Sequence, residues 1–126
     1  MAEFSDYMEN KIIEVMRATS FTAVAAYVAL YTVAPTDAGG GTEVSGGAYA
    51  RQLAGLSVAS GGLSSNAADI TFPTATADWG TVVAVALFDA ATVGNMYMWS
   101  PLDANKVVAS GDTFKINAGD LDVVVA

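Results

Sequence analysis

Residues 79–89 constrain the fold more than any other segment of this chain. They read Trp-Gly-Thr-Val-Val-Ala-Val-Ala-Leu-Phe-Asp, rich in β-branched and aromatic residues and uncharged before Asp89. Alternation divides the apolar residues between two faces, with Val83, Val85 and Leu87 on one and Val82, Ala84, Ala86 and Phe88 on the other. Because both faces are apolar, we expect a strand covered on both sides, in the middle of a sandwich. A buried helix is the alternative, which the Trp-Gly start and the valines disfavour.

Seven shorter segments of similar character surround this strand and are separated by turns rich in Gly, Asn and Asp. They are residues 24–33, 49–59, 69–72, 96–100, 106–108, 113–117 and 121–125. In residues 96–100, alternation places Met96 and Met98 on one face and Tyr97 and Trp99 on the other. About eight short strands predict an all-β fold, an antiparallel and jelly-roll-like β-sandwich.

The first segment has a helical pattern. Asp6 is the expected N-cap, with Glu9 three residues later. An apolar stripe follows at helical spacing, formed by Met8, Ile12, Val15 and Met16. The stripe suits either a helix packed on its own domain or an arm that docks on a neighbouring subunit. We therefore divide the chain into an N-terminal helical arm (1–20) and a β-sandwich domain (21–126), and treat the stripe as a candidate partner-binding surface.

Charge is sparse and mostly negative. Charged residues make up 14% of the 126 residues, and the net charge is −8. The five basic residues are scattered, which disfavours nucleic-acid binding because phosphate neutralisation needs clustered cations. The longest uncharged apolar stretch, residues 21–34, is too short to span a bilayer. We expect no nucleic-acid or membrane partner, but a surface covered by other protein subunits.

The sequence lacks the residues that most catalytic sites need. It contains no histidine and no cysteine, which excludes Ser-His-Asp and Cys-His chemistry within one chain. We expect neither enzymatic activity nor a cofactor. A carboxylate pair for glycoside hydrolysis, a structural calcium ion, or sugar stacking on Tyr97 and Trp99 remain weaker alternatives.

A glycine-rich loop spans residues 35–47 and contains two acids, Asp37 and Glu43. Long loops in compact domains usually serve a contact, so both acids are candidate partner-binding residues. Arg51 follows in an otherwise uncharged segment, and we expect it to form an ion pair with a loop acid such as Glu43. Arg51 is included in the candidate partner-binding set.

The ordered set of segments resembles a family of small tailed-bacteriophage virion proteins. The residues that carry the resemblance are Ser-Asp-Tyr-Met-Glu-Asn-Lys at 5–11, Tyr-Val-Ala-Leu-Tyr-Thr at 27–32, Pro-Thr-Asp-Ala-Gly at 35–39, Glu-Val-Ser-Gly-Gly-Ala-Tyr-Ala-Arg-Gln at 43–52, Phe-Pro at 72–73 with Ala-Thr at 75–76, Asp-Trp-Gly-Thr-Val at 78–82, Leu-Phe-Asp at 87–89 and Ser-Gly-Asp-Thr-Phe at 110–114. Members are described as tail-fibre-like or as capsid cement proteins. The resemblance covers residues 5–125 and implies an oligomeric β-sandwich subunit without enzymatic activity.

The resemblance leads to a specific expectation about function. We expect a capsid decoration (cement) protein, made in the host cytoplasm, that binds the major capsid protein on the capsid surface of the virion as a trimer. It would stabilise the contacts between capsomers. A tail-fibre, collar or spike component is the alternative, followed by a carbohydrate-binding module.

Overall fold

A computed structural model describes residues 3–125, which form one helix and ten strands. In chain order these elements are β1 (Glu3–Phe4), α1 (Asp6–Met16), β2 (Tyr27–Val33), β3 (Thr42–Glu43), β4 (Gln52–Leu53), β5 (Leu63–Ser65), β6 (Ile70–Thr71), β7 (Gly80–Phe88), β8 (Met96–Val108), β9 (Lys115–Ile116) and β10 (Asp122–Val124). The predicted arm also includes residues 1 and 2, and the predicted β-sandwich domain includes residue 126. These three lie outside the described residues.

The predicted central strand is β7, which lies in the middle of the main sheet. The order in this sheet is β1-β8-β7-β2, and β3 and β4 both pair with the outer edge of β2. All neighbours are antiparallel. Alternation along β2 places Val28 and Leu30 on one side of the sheet and Ala29 and Tyr31 on the other.

The main sheet packs against a second, smaller layer. This layer consists of two short antiparallel pairs, β5 with β10 and β6 with β9. The core between the layers joins Val28, Leu30 and Leu87 of the main sheet to Phe72 and Phe114. The rings of Phe72 and Phe114 meet edge to face with centroids 5.6 Å apart. The prediction of an all-β sandwich with an N-terminal helix is confirmed.

A second apolar cluster covers the other face of the main sheet. Ala29, Ala84 and Ala86 are nearly inaccessible there, and the rings of Tyr31 and Phe88 stack beside them at 6.5 Å. The small alanine side chains let the larger neighbouring side chains close over the sheet. Apolar residues therefore occupy both faces of β7, as the sequence predicts.

The predicted faces of Val82 and Val83 are wrong because β7 and β8 are out of step at this point. Val82 pairs with Lys106 and Ala84 with Pro101. Between these two pairings β7 advances by two residues and β8 by five. The irregularity rotates the chain, and Val82 joins the core between the layers while Val83 packs on the opposite cluster.

A second bulge overturns the predicted alternation of residues 96–100. Leu87 pairs with Met98 and Phe88 with Met96, so Tyr97 is an extra residue on β8. Met98 and Tyr97 consequently face the core between the layers. Met96 lies in the opposite cluster, against which Trp99 also packs.

Several predicted strand boundaries also differ from the structure. The segments 96–100 and 106–108 are parts of one strand, β8, which continues through the bulged residues between them. Of the predicted strand 49–59 only β4 is formed, and the strand predicted from residue 24 begins at Tyr27. Within residues 3–125 no helix has the length and apolar character needed to cross a bilayer.

Candidate partner-binding surface

The start of α1 is fixed to the main sheet. Ser5, rather than the predicted Asp6, is the N-cap, and its Oγ accepts the Met8 N–H at 3.1 Å. The same hydroxyl donates to the Met96 carbonyl at the bulge of β8, and the Ser5 N–H donates to the Tyr97 carbonyl at 3.0 Å. Ser5 is buried, so this end of the helix cannot move without breaking the β8 contact.

The other end of α1 is closed by local hydrogen bonds. The N–H of Ala18 donates to Val15 and that of Thr19 to Glu14, which is the Schellman pattern. Ala18 adopts a φ of 63°, the left-handed conformation that this motif requires. Arg17 and Glu14 form an exposed ion pair at 2.8 Å.

The apolar stripe of α1 is only half engaged by the subunit itself. No residue of the helix is fully buried. Met8 and Ile12 face an apolar groove, whereas Val15 and Met16 project beyond it with 54% and 75% of their surfaces exposed. The stripe thus continues past the subunit's own surface.

The groove lies between α1 and the β-domain and has a volume of about 720 Å³. Its fifteen lining residues are all uncharged: Phe4, Met8, Ile12, Val24, Ala25, Ala26, Leu53, Ala54, Gly55, Leu56, Leu87, Tyr97, Met98, Val123 and Val125. Only Tyr97 brings a polar side-chain group, and its hydroxyl already donates to the Val24 carbonyl at 3.0 Å. We call this feature the apolar groove.

The predicted ion pair of Arg51 with Glu43 is confirmed. The guanidinium is bidentate, with Nε 2.9 Å from Oε2 and Nη2 2.8 Å from Oε1. Its remaining nitrogen donates to the carbonyls of Ala90 and Val93, and its Cζ atom lies over the Phe88 ring, 3.8 Å from the ring centroid. With 6% of its side chain exposed, Arg51 holds the β7–β8 turn against the glycine-rich loop.

Tyr49 extends this network into the sheet. Its hydroxyl donates to Glu43 Oε2 at 2.6 Å and accepts the Leu30 N–H at 3.0 Å. Leu30 belongs to the part of β2 between its pairings with β3 and β4, so the tyrosine supplies an acceptor at the sheet edge. Burial, followed by the hydrogen bond to Glu43, raises the pKa of Tyr49 far above its ordinary value.

Asp37 accepts two hydrogen bonds from other parts of the same chain. Its carboxylate accepts the Trp99 indole N–H at 3.3 Å, and its carbonyl accepts the Asp6 N–H at 2.9 Å. The glycine-rich loop therefore joins the start of α1 to the sheet. The structure places Asp37, Glu43 and Arg51 away from the groove-lining set, in contacts that hold the loop, and their partner-binding role stays a prediction.

Sequence reasoning missed most of the groove. Its lining comes from irregular residues 24–26, from residues 53–56, and from Val123 and Val125. The available signal was the apolar character of residues 23–26 and of Leu53 and Leu56, which an alternating strand pattern does not explain. Within the described part of the chain, no three acidic side chains come together as a metal site would require.

The fold and the surface define a small β-sandwich protein with an open apolar groove and a half-engaged helix. The family model described as Podophage GP4 fiber I protein gp80 matches residues 3–124, and the chain belongs to that family. No curated protein matches the chain. The resemblance to tailed-phage virion structural proteins is thereby confirmed, and the fibre description favours the tail-fibre alternative over the expected capsid decoration protein.

Proposed function

We propose that this protein is a non-enzymatic structural subunit of a podophage tail fibre, and that it attaches to neighbouring fibre protein through the apolar groove and the end of α1. One observation carries the proposal: a member of a phage fibre family exposes an uncharged groove that runs on into an unburied helical stripe. Contiguous exposed apolar surface of this kind is typical of protein interfaces.

The size of the exposed surface supports a stable contact. Val15, Met16, Leu53 and Val125 each keep between 54% and 75% of their surface exposed. Full burial of such a side chain contributes about 1.5–3 kcal/mol, so covering these exposed parts is worth roughly 1 kcal/mol or more for each. Several such contacts per subunit, repeated along a fibre, offset the cost of association.

Charge acts on the rate of attachment rather than on its final strength. A net charge of −8 attracts a basic partner and repels an acidic one over a Debye length, about 10 Å at 0.1 M salt. The groove itself holds no charged side chain, and apolar contacts are weakly screened. We expect moderate salt to change the rate of attachment, slowing it for a basic partner and speeding it for an acidic one, but not to release attached protein.

Locating the protein on the particle tests the proposal directly. Antibody labelling with electron microscopy of purified virions should mark the tail fibres, with on the order of a dozen copies. Labelling spread over the whole head, with hundreds of copies bound to the major capsid protein, would instead identify a decoration protein and overturn the proposal.

A matched pair of substitutions tests the surface. Ile12→Asp places a charge in the groove, whereas Asn10→Asp adds the same charge on the exposed side of α1. We expect Ile12→Asp to reduce incorporation into virions at least tenfold and Asn10→Asp to leave it unchanged, with circular dichroism confirming that both variants are folded. Equal incorporation of the two variants would show that attachment uses another surface.

A further inference from the structure

The chemistry of the apolar groove identifies its occupant as apolar protein side chains. Small-molecule pockets combine apolar walls with a few placed polar groups that orient the ligand. Here the one polar side-chain group, the Tyr97 hydroxyl, is already bound to the backbone of Val24. The groove therefore offers burial without any group that could select a polar ligand.

The subunit itself carries an element that matches the groove. Val15 and Met16 continue the stripe of Met8 and Ile12, yet they do not line the groove of their own subunit and are exposed to solvent. Ser5 holds the start of α1 against β8, so the whole helix does not leave its subunit. Only its far end is free to reach a neighbour.

Charge restricts the surfaces through which two copies of this chain can meet. Two copies with a net charge of −8 repel each other unless they meet through a surface without excess negative charge. The groove lining is uncharged, and beside the free end of α1 the charges of Glu14 and Arg17 offset each other in an ion pair. Copies of so acidic a chain can therefore bring these two surfaces together at low electrostatic cost.

We infer that the end of α1 in one copy binds in the apolar groove of the next copy. Val15 and Met16 pack against Leu53 and Leu56 of the neighbouring subunit. The inference rests on the proposed function, because it names the fibre protein that occupies the groove. In the head-to-tail form of this contact, each copy receives the helix end of one neighbour and gives its own to another, so successive copies close into a ring, such as the expected trimer, or extend as a filament. A reciprocal exchange of helix ends between two copies would instead close as a dimer.

Charge substitutions on each surface test the contact. Met16→Glu alters the inserting end and Leu53→Glu alters the groove, and both positions are exposed in the single subunit, so the fold should persist. Val58→Glu is the control, because Val58 is 94% exposed and does not line the groove. By light scattering at a subunit concentration on the order of 100 μM, we expect wild type and Val58→Glu to associate and the other two variants to be monomers.

Mixing the two monomeric variants tests whether the end of α1 and the groove bind each other. Each variant keeps the surface that the other lacks, so an equimolar mixture should form a mixed dimer by sedimentation. A disulfide cross-link tests which residues meet. Because the chain contains no cysteine, the introduced cysteines are its only thiols. Under oxidising conditions, Met16→Cys mixed with Leu53→Cys should give the mixed disulfide dimer at least tenfold above Met16→Cys mixed with Val58→Cys.

The outcomes separate this inference from the proposed function. A monomeric wild type, or association that all three charge variants retain, overturns the inference whatever the location of the protein on the virion. A monomeric wild type whose groove binds an apolar dye would leave the groove open to a different protein, which also overturns the inference. If wild type associates through this contact but labels only the head, the inference stands and the fibre assignment fails.

Discussion

Replacing Tyr49 with phenylalanine should destabilise the subunit without altering its packing. The change removes one oxygen atom and keeps the ring, which stacks on Phe72 at 6.3 Å and meets Trp79 edge to face at 5.4 Å. The lost hydroxyl is the acceptor for the N–H of Leu30, a residue with 0% exposure. The substitution thus isolates one hydrogen-bonding group at the edge of β2.

The magnitude follows from the two bonds of the hydroxyl. A buried N–H left without a partner costs about 1–3 kcal/mol. Losing the bond to Glu43 adds little, because that side chain is 24% exposed and keeps its bidentate contact with Arg51. We therefore expect the free energy of unfolding to fall by about 2 kcal/mol, and the melting temperature to fall by roughly 6–10 °C for a domain of this size.

Urea unfolding followed by circular dichroism measures the effect, with an unchanged m-value showing that the same surface is exposed on unfolding. Tyr27→Phe is the control, since the Tyr27 hydroxyl makes no hydrogen bond within residues 3–125. We expect the control to cost less than about 0.5 kcal/mol. Similar losses for the two variants would refute the argument that Tyr49 completes the edge of the sheet.

Three further predictions concern the same network and the end of α1. Because burial raises the pKa of Tyr49 above 10.0, its contribution is complete below pH 10 and is lost as pH rises further, so the free energy of unfolding should fall more steeply above pH 10 in wild type than in Tyr49→Phe. Arg51→Lys should lower the free energy of unfolding in urea by about 2–4 kcal/mol, because lysine cannot form the bidentate pair and the turn contacts together. Arg17→Lys, at an exposed ion pair, should lower it by less than about 0.5 kcal/mol. Ala18→Gly should raise stability by about 0.5–1 kcal/mol because Ala18 has a φ of 63°, while Ala23→Gly, where φ is not positive, should not; a loss in thermal unfolding of Ala18→Gly would contradict this account of the helix end.

The parts of the fold that depend on local pattern could be predicted from the sequence. The apolar run before Asp89 correctly predicts the central strand. Its alternation correctly places Val85 and Leu87 on the face opposite Ala84 and Ala86. The Arg51–Glu43 pair was predictable for a different reason: an arginine in an uncharged segment must find an anion when it is buried.

The bulges could not be predicted in this way, because an extra residue in a strand is defined only by the strand beside it. Nothing within residues 80–88 marks Val82 and Val83 as the site of a register shift. The shift arises because β8 advances by five residues while β7 advances by two. The same limit applies to Tyr49, whose acceptor role depends on the separation of β3 and β4 along β2.

The origin of the groove has a consequence for assembly. Its walls combine Phe4 and Met8 with Leu53 and with Val123, residues that are far apart in the sequence and meet only in the folded subunit. An unfolded chain therefore exposes the apolar end of α1 but offers no groove to receive it. Because the head-to-tail contact requires a folded acceptor, association stabilises the folded state by mass action, and the unfolding midpoint of wild type should rise with protein concentration. Met16→Glu should abolish that dependence, whereas Val58→Glu should keep it; a wild-type midpoint that does not change with concentration would show that folding and assembly are not coupled through this surface.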